Sequence, residues 1–210
     1  MSTVSALQDH WAGECERTTN PFDIERPDEW IVSLAKNRKI RGNVLDAGCG
    51  SGRTSLCLAN LGYSVLGVDI SAKAIECAKR QIDAKRSSAQ FVQANVSKLF
   101  GYDNHFDTVV DIGCFQSLEQ SDRGPYARAL HRYCRPRSVI YLRAFSANNS
   151  DTSRHPNGEL TSALSEEQIR APFATNGWVV KELEEREIEI FISEIHKPTA
   201  KCWFAEMHYA

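Results

Sequence analysis

From residue 43 onward, short apolar runs bounded by turn residues alternate with longer stretches in which apolar residues recur three and four positions apart. The first kind reads as buried strand, the second as amphipathic helix. Strands are predicted at 43–47, 64–69, 90–93, 106–111 and 139–143. A helix is predicted from about 53 to 61, stopped by Gly62. Ser71 is placed to cap a second helix, in which Ala74, Ile75, Ala78 and Ile82 share one face, and a third is predicted at 126–133. Strands that alternate with helices in this way stack as βαβ units into a parallel sheet with helices on both faces.

The last third of the chain follows a different pattern. Residues 147–159, rich in Asn, Ser, Asp and Pro, bury little apolar surface and read as a long loop ahead of a helix at 165–175. Segments 178–192 and 201–209 are strand-like. The latter places Trp203, Ala205, Met207 and Tyr209 on one face and Cys202, Phe204 and His208 on the other. The expected fold is therefore α/β: a Rossmann-like, doubly wound, mainly parallel seven-stranded sheet with an antiparallel C-terminal strand. The aromatic residues Phe173, Trp178, Phe191, Trp203 and Phe204 are expected mostly to pack the core.

Composition narrows the class. The 210 residues with 42% hydrophobic content suit a single domain. The near balance of 25 Lys+Arg against 27 Asp+Glu, with no basic cluster, argues against nucleic acid and anionic membranes as partners. Neither a leader-like N-terminus nor a spanning apolar run is seen, so a cytoplasmic protein, monomer or homodimer, is expected. Seven cysteines without a Cys-x-x-Cys pair read as reduced thiols, with no metal site expected.

Candidate chemistry concentrates in Asp46-Ala47-Gly48-Cys49-Gly50-Ser51-Gly52, a glycine turn between a strand and a helix. Glycines there let a ligand approach the backbone, and the helix start offers N–H donors to an anionic group. Asp69 ends the next strand, where a carboxylate can accept both hydroxyls of a ribose. These features suit an adenosine-containing cofactor. The dinucleotide fingerprint fails, because its third glycine falls on Arg53, and NAD is disfavoured.

The loop VLDAGCGSG, followed by GVDIS at 67–71, FVQAN at 91–95 and FDTVVDIGCFQSL at 106–118, resembles the class I methyltransferases that use S-adenosylmethionine (SAM). The N-terminal stretch WAGECERTTNPFDIERPDEW is similar to the thiopurine-methyltransferase-like small-molecule branch. The resemblance implies a layout of an N-terminal helical arm at 1–40 that covers the site, a SAM-binding core at 43–145, and a substrate-side insert with closing strands at 146–210. It further implies that Gly48 and Gly50 line the methionine part of SAM, with Asp46 near its amino group. Asp69, with Ile70 beside it, would bind the ribose. Asn95, where the family usually has aspartate, would accept from the adenine amino group, and the Val96 N–H would meet a ring nitrogen. Asp111 and Gly113 would flank the sulfonium, and Trp11 and Phe22 would cover the cofactor.

The implied activity is methyl transfer to an O, S or N atom of a small molecule. The alternative is a SAM-binding protein that serves as sensor, partner subunit or pericyclic-type catalyst. Cys114 sits where cytosine-5 RNA methyltransferases carry a nucleophile, but Gly113 replaces their proline, so a packing role is expected. The motif of enzymes that methylate base or glutamine amino groups is absent after residue 111. No convincing base emerges; the catalytic candidates are Arg143, placed to bind a carboxylate or phosphate of the acceptor, and the loop residues His155 and His196, which could take a proton from a hydroxyl.

Overall fold

The computed structural model describes residues 27–85, 87–149, 163–189 and 199–210. Its seven strands form one sheet in the order β3-β2-β1-β4-β5-β7-β6. The strands are β1 Asn43–Ala47, β2 Ser64–Asp69, β3 Gln90–Gln93, β4 Phe106–Ile112, β5 Cys134–Phe145, β6 Trp178–Glu189 and β7 Thr199–Tyr209. The first five pair in parallel, and β7 runs antiparallel to both β5 and β6. The strand order reverses between β1 and β4, which opens a crevice at the carboxyl ends of those strands, the usual place for a ligand in an open α/β sheet.

Alternation along each strand divides the core between two faces. Helices α1 (Glu29–Lys36), α2 (Arg53–Asn60) and α3 (Ala72–Lys85) cover one, where Ile31, Leu56, Ile75 and Ala78 meet Val44, Val65, Phe91 and Val110. Helices α4 (Gln120–Tyr133) and α5 (Glu166–Ala174) cover the other, where Tyr126, Leu130, Ile169 and Phe173 meet Leu45, Val68, Val109 and Ile140. Phe173, Trp178, Trp203 and Phe204 are buried, the packing role expected of them; Phe191 lies outside the described residues.

Boundaries differ most from the sequence pattern in two places. Helix α4 starts at Gln120 rather than 126, continuing through Gly124 and Pro125. Proline forfeits one helical hydrogen bond, and the burial of Tyr126 and Leu130 against the sheet, with Arg123 over the Phe115 ring, holds the helix together across it. Strand β5 starts at Cys134, immediately after α4, with a register shift opposite Phe106 and Thr108 and Arg137 at φ 73. The bulge admits Pro136 into the strand. The outer strand β6 exposes Lys181, Glu182, Glu184, Glu185, Arg186 and Glu187, and such charges discourage edge-to-edge pairing. Among the described residues, no helix is long and apolar enough to cross a membrane.

Candidate active site

The 48–52 turn leaves the carboxyl end of β1, and the Gly48 and Cys49 N–H groups donate to the Val68 carbonyl of β2 at 2.8 and 3.0 Å. Gly48, Gly50 and Gly52 all lie at positive φ, yet their surroundings differ. A Cβ on Gly48 would come within 2.6 Å of Cys114 Cβ, and one on Gly52 within 2.4 Å of Phe91 Cζ. One on Gly50 would meet nothing within 4 Å among the described residues. Two of the glycines therefore serve close packing of the protein's own chain, and Gly50 faces open space.

Asp69 stands beside this opening, partly exposed. Its Oδ2 accepts from the Gly50 N–H and its Oδ1 from the Ser71 N–H, each at 2.9 Å. Burial raises its pKa, and these backbone donors pull it down. A carboxylate offers about four acceptor positions, and with the Gly50, Ser71 and Ile70 N–H groups on it one remains for a further hydroxyl. Ile70 follows in the same turn, its carbonyl accepting from Gln93 Nε2 at 3.3 Å.

Three expected site residues have side chains engaged by their own chain. Asp46 is buried beneath the turn and accepts from the Ser55 hydroxyl at 2.5 Å. Asp111 is completely buried: the Cys114 N–H, the Phe115 N–H and, at 2.6 Å, the Tyr126 hydroxyl all donate to it. The family resemblance implied Asp111 beside the sulfonium; in the structure its carboxylate is directed inward and braces the turn after β4. The Asn95 side-chain oxygen accepts from the Ser97 N–H at 2.8 Å, capping the short 3-10 turn Val96–Lys98, at whose first position Val96 lies buried.

Gly113, at φ 94, donates its N–H to the Arg143 carbonyl at 3.1 Å. The Arg143 guanidinium forms an ion pair with Asp28, whose other oxygen accepts from the Ile31 N–H and caps α1. Arg143 thus ties the start of α1 to the end of β5. Trp11, Phe22, His155 and His196 lie outside the described residues. Sequence reasoning missed Ser55, Tyr126 and Asp28; a local signal existed only for Asp28, a capping residue ahead of an amphipathic run.

Burial pushes Asp46 up to about 7, against two hydrogen bonds from Ser55 and with the help of the negative Asp111 and Asp69. Burial also pushes Asp111 up to about 6 against Tyr126, Phe115 and Cys114. Both folded values exceed the unfolded carboxylate value of about 3.9. Between about pH 4 and about pH 7 the native state therefore binds more protons than the unfolded chain, and these two groups make stability fall as pH rises. Chemical denaturation followed across that range checks this: the Asp46→Asn slope should be less negative than that of the wild type. Burial likewise raises the Cys114 thiol and the Tyr126 hydroxyl well above their ordinary values.

A family model described as a methyltransferase domain matches residues 44–137. An uncharacterized methyltransferase of Schizosaccharomyces pombe is 42% identical over 127 residues, which make up 60% of this chain and 88% of that protein. The chain belongs to the class I SAM-dependent methyltransferases. This methyltransferase is also similar to the 2-heptyl-1-hydroxyquinolin-4(1H)-one methyltransferase of Mycobacteroides abscessus, 34% identical over 117 residues, 55% of this chain and 52% of that one. A solved structure from work on the conversion of a disulfide bond into a thioacetal group during echinomycin biosynthesis superposes with a TM-score of 0.87 at 31% identity, covering 99% of this chain and 92% of the other. The cofactor is SAM, and the site's own geometry fits it: an open face at Gly50 flanked by a partly exposed carboxylate.

Proposed function

We propose that this methyltransferase acts on a small molecule whose O, S or N atom arrives already nucleophilic, without deprotonation by a protein base. The carrying observation is that Asp111, Tyr126 and Arg143, gathered around the carboxyl ends of β4 and β5, are committed to their own chain. Asp111 is fully buried under three donors, Tyr126 donates to it, and Arg143 is paired with Asp28. SAM supplies an electrophilic methyl group on a sulfonium. The protein's own contribution is then alignment, since a bound, in-line geometry alone lowers the barrier to displacement greatly.

In this reading the Gly48 and Gly50 backbone receives the methionine part of SAM. Asp69 and Ile70 hold the ribose, Asn95 and the Val96 N–H the adenine, and Gly113 borders the methyl group. Asp46 and Asp111 support the site from behind. Trp11 and Phe22 close over the cofactor, and His155 and His196 belong to the acceptor side. Sulfur acceptors come first in the order of test, because the 31% identical structure comes from work on the conversion of a disulfide bond into a thioacetal group. Thiols ionise near pH 8.5 and need little activation.

The test is a screen of thiols, acidic phenols and amines with methyl-labelled SAM, followed by kcat/KM against pH for each acceptor that turns over. The inflection should move with the acceptor's own pKa. An inflection fixed across acceptors of different pKa would instead reveal a protein base and overturn this reading.

A further inference from the structure

Helix α2 begins without a side-chain cap, because Gly52 stands at its N-cap position with φ 82. The first N–H groups of a helix have no intrahelical acceptor. Asp46, on the preceding strand, takes over that duty. The Ser55 hydroxyl donates to its Oδ2 at 2.5 Å, and the Ser55 N–H donates to the same carboxylate. Ser55 belongs to the first turn of α2 and is completely buried.

The space for this arrangement is made by a third residue. In the β1–β2 pairing Asp46 lies opposite Gly67. A Cβ on Gly67 would come within 2.8 Å of the Ser55 hydroxyl oxygen and within 2.6 Å of the Phe91 ring. Gly67 lies in the middle of a strand, where glycine weakens the sheet unless something needs the room. Here the room is taken by the Ser55 hydroxyl and the Phe91 ring.

We infer that Ser55 and Gly67 are positioning residues for the cofactor loop: Asp46 grips Ser55 in the slot left by Gly67, fastening α2 to β1 and fixing the 48–52 turn in the shape that receives SAM. The inference rests on the reading of that turn as the SAM site. It gives Asp46 a different task from direct contact with the cofactor's amino group. What the turn needs from Asp46 is an acceptor oxygen aimed at Ser55, and negative charge is secondary.

The test measures SAM affinity by calorimetry, together with the stability of the ligand-free protein against pH, in the wild type and in Ser55→Ala, Gly67→Ala, Asp46→Asn and Asp46→Leu. Ser55→Ala and Gly67→Ala should each weaken SAM binding about tenfold, a shift of about 1.4 kcal/mol. Asp46→Asn, which keeps an acceptor oxygen, should stay within about threefold of the wild type, whereas Asp46→Leu should lose more than Ser55→Ala. In Ser55→Ala the ligand-free stability change assigned to Asp46 should move to higher pH, since a donor to the charged carboxylate is gone. Asp46→Asn losing affinity as severely as Asp46→Leu at unchanged stability would show that the cofactor uses the charge itself, and would overturn the inference. Unchanged SAM affinity in Ser55→Ala would overturn it too. Failure of the wild type to bind SAM would instead strike the reading of the site.

Discussion

Gly50→Val is expected to leave the protein folded and to weaken SAM binding by at least about a hundredfold, roughly 2.7 kcal/mol. Among the described residues nothing lies within 4 Å of the position where a Cβ would sit, so the valine side chain starts out into the opening rather than into the packed chain. The backbone cost is that of a branched residue at φ 54, on the order of 1–2 kcal/mol. A stable domain absorbs that, but a ligand lying on the Gly50 backbone cannot share the space. The neighbouring glycines provide the control. Gly48→Val drives its side chain against Cys114, and Gly52→Val against Phe91 and Ala78. Both should lower the melting temperature markedly, because overpacking in a close-packed interior forces backbone movement. Thermal melting and calorimetric titration with SAM, run on all three variants, separate the two classes. Gly50→Val binding SAM like the wild type would mean that the cofactor does not lie on this turn.

The second large effect is on stability. Asp111→Ala should cost about 3–5 kcal/mol, the range seen when one partner of a buried charged hydrogen-bonded set is removed. The substitution strands the Tyr126 hydroxyl, which donates at 2.6 Å, and the N–H groups of Cys114 and Phe115 at 2.9 and 3.2 Å. Asp111 and Tyr126 are both completely buried, so water does not replace the lost acceptor. A loss of this size is a large part of the 5–15 kcal/mol that separates a typical folded domain from its unfolded chain. Tyr126→Phe removes one donor and leaves the carboxylate with its backbone partners, so it should cost only about 1–2 kcal/mol. Urea denaturation of the two variants measures the difference. A cost below about 1 kcal/mol for Asp111→Ala would show that the turn after β4 is held by other contacts.

Much of the fold is legible in the local pattern. The limits of β1, β2 and β3 follow from apolar runs that end at a glycine, a serine cap or a polar residue. Helix α5 is announced by Ser165 and Gln168, which form the capping box the spacing suggests. The start of α4 is hidden because Gly124 and Pro125 look like a stop, and only the burial of Arg123 and Tyr126 reveals that the helix runs through them.

The chain's periodicities and its glycine turn determined by themselves a parallel α/β sheet, a cofactor loop at the end of β1 and an acidic residue at the end of β2. Each of these depends on which residues are apolar and which can adopt φ > 0, properties that a linear pattern carries. Where the polar side chains at the strand ends point was decided only in three dimensions. Asp46 and Asp111 turn inward because Ser55 and Tyr126 bring hydroxyls to them, and Arg143 turns to Asp28, 115 residues away. A buried polar group is directed by the nearest complementary group, and strand pairing sets that neighbour from distant parts of the chain.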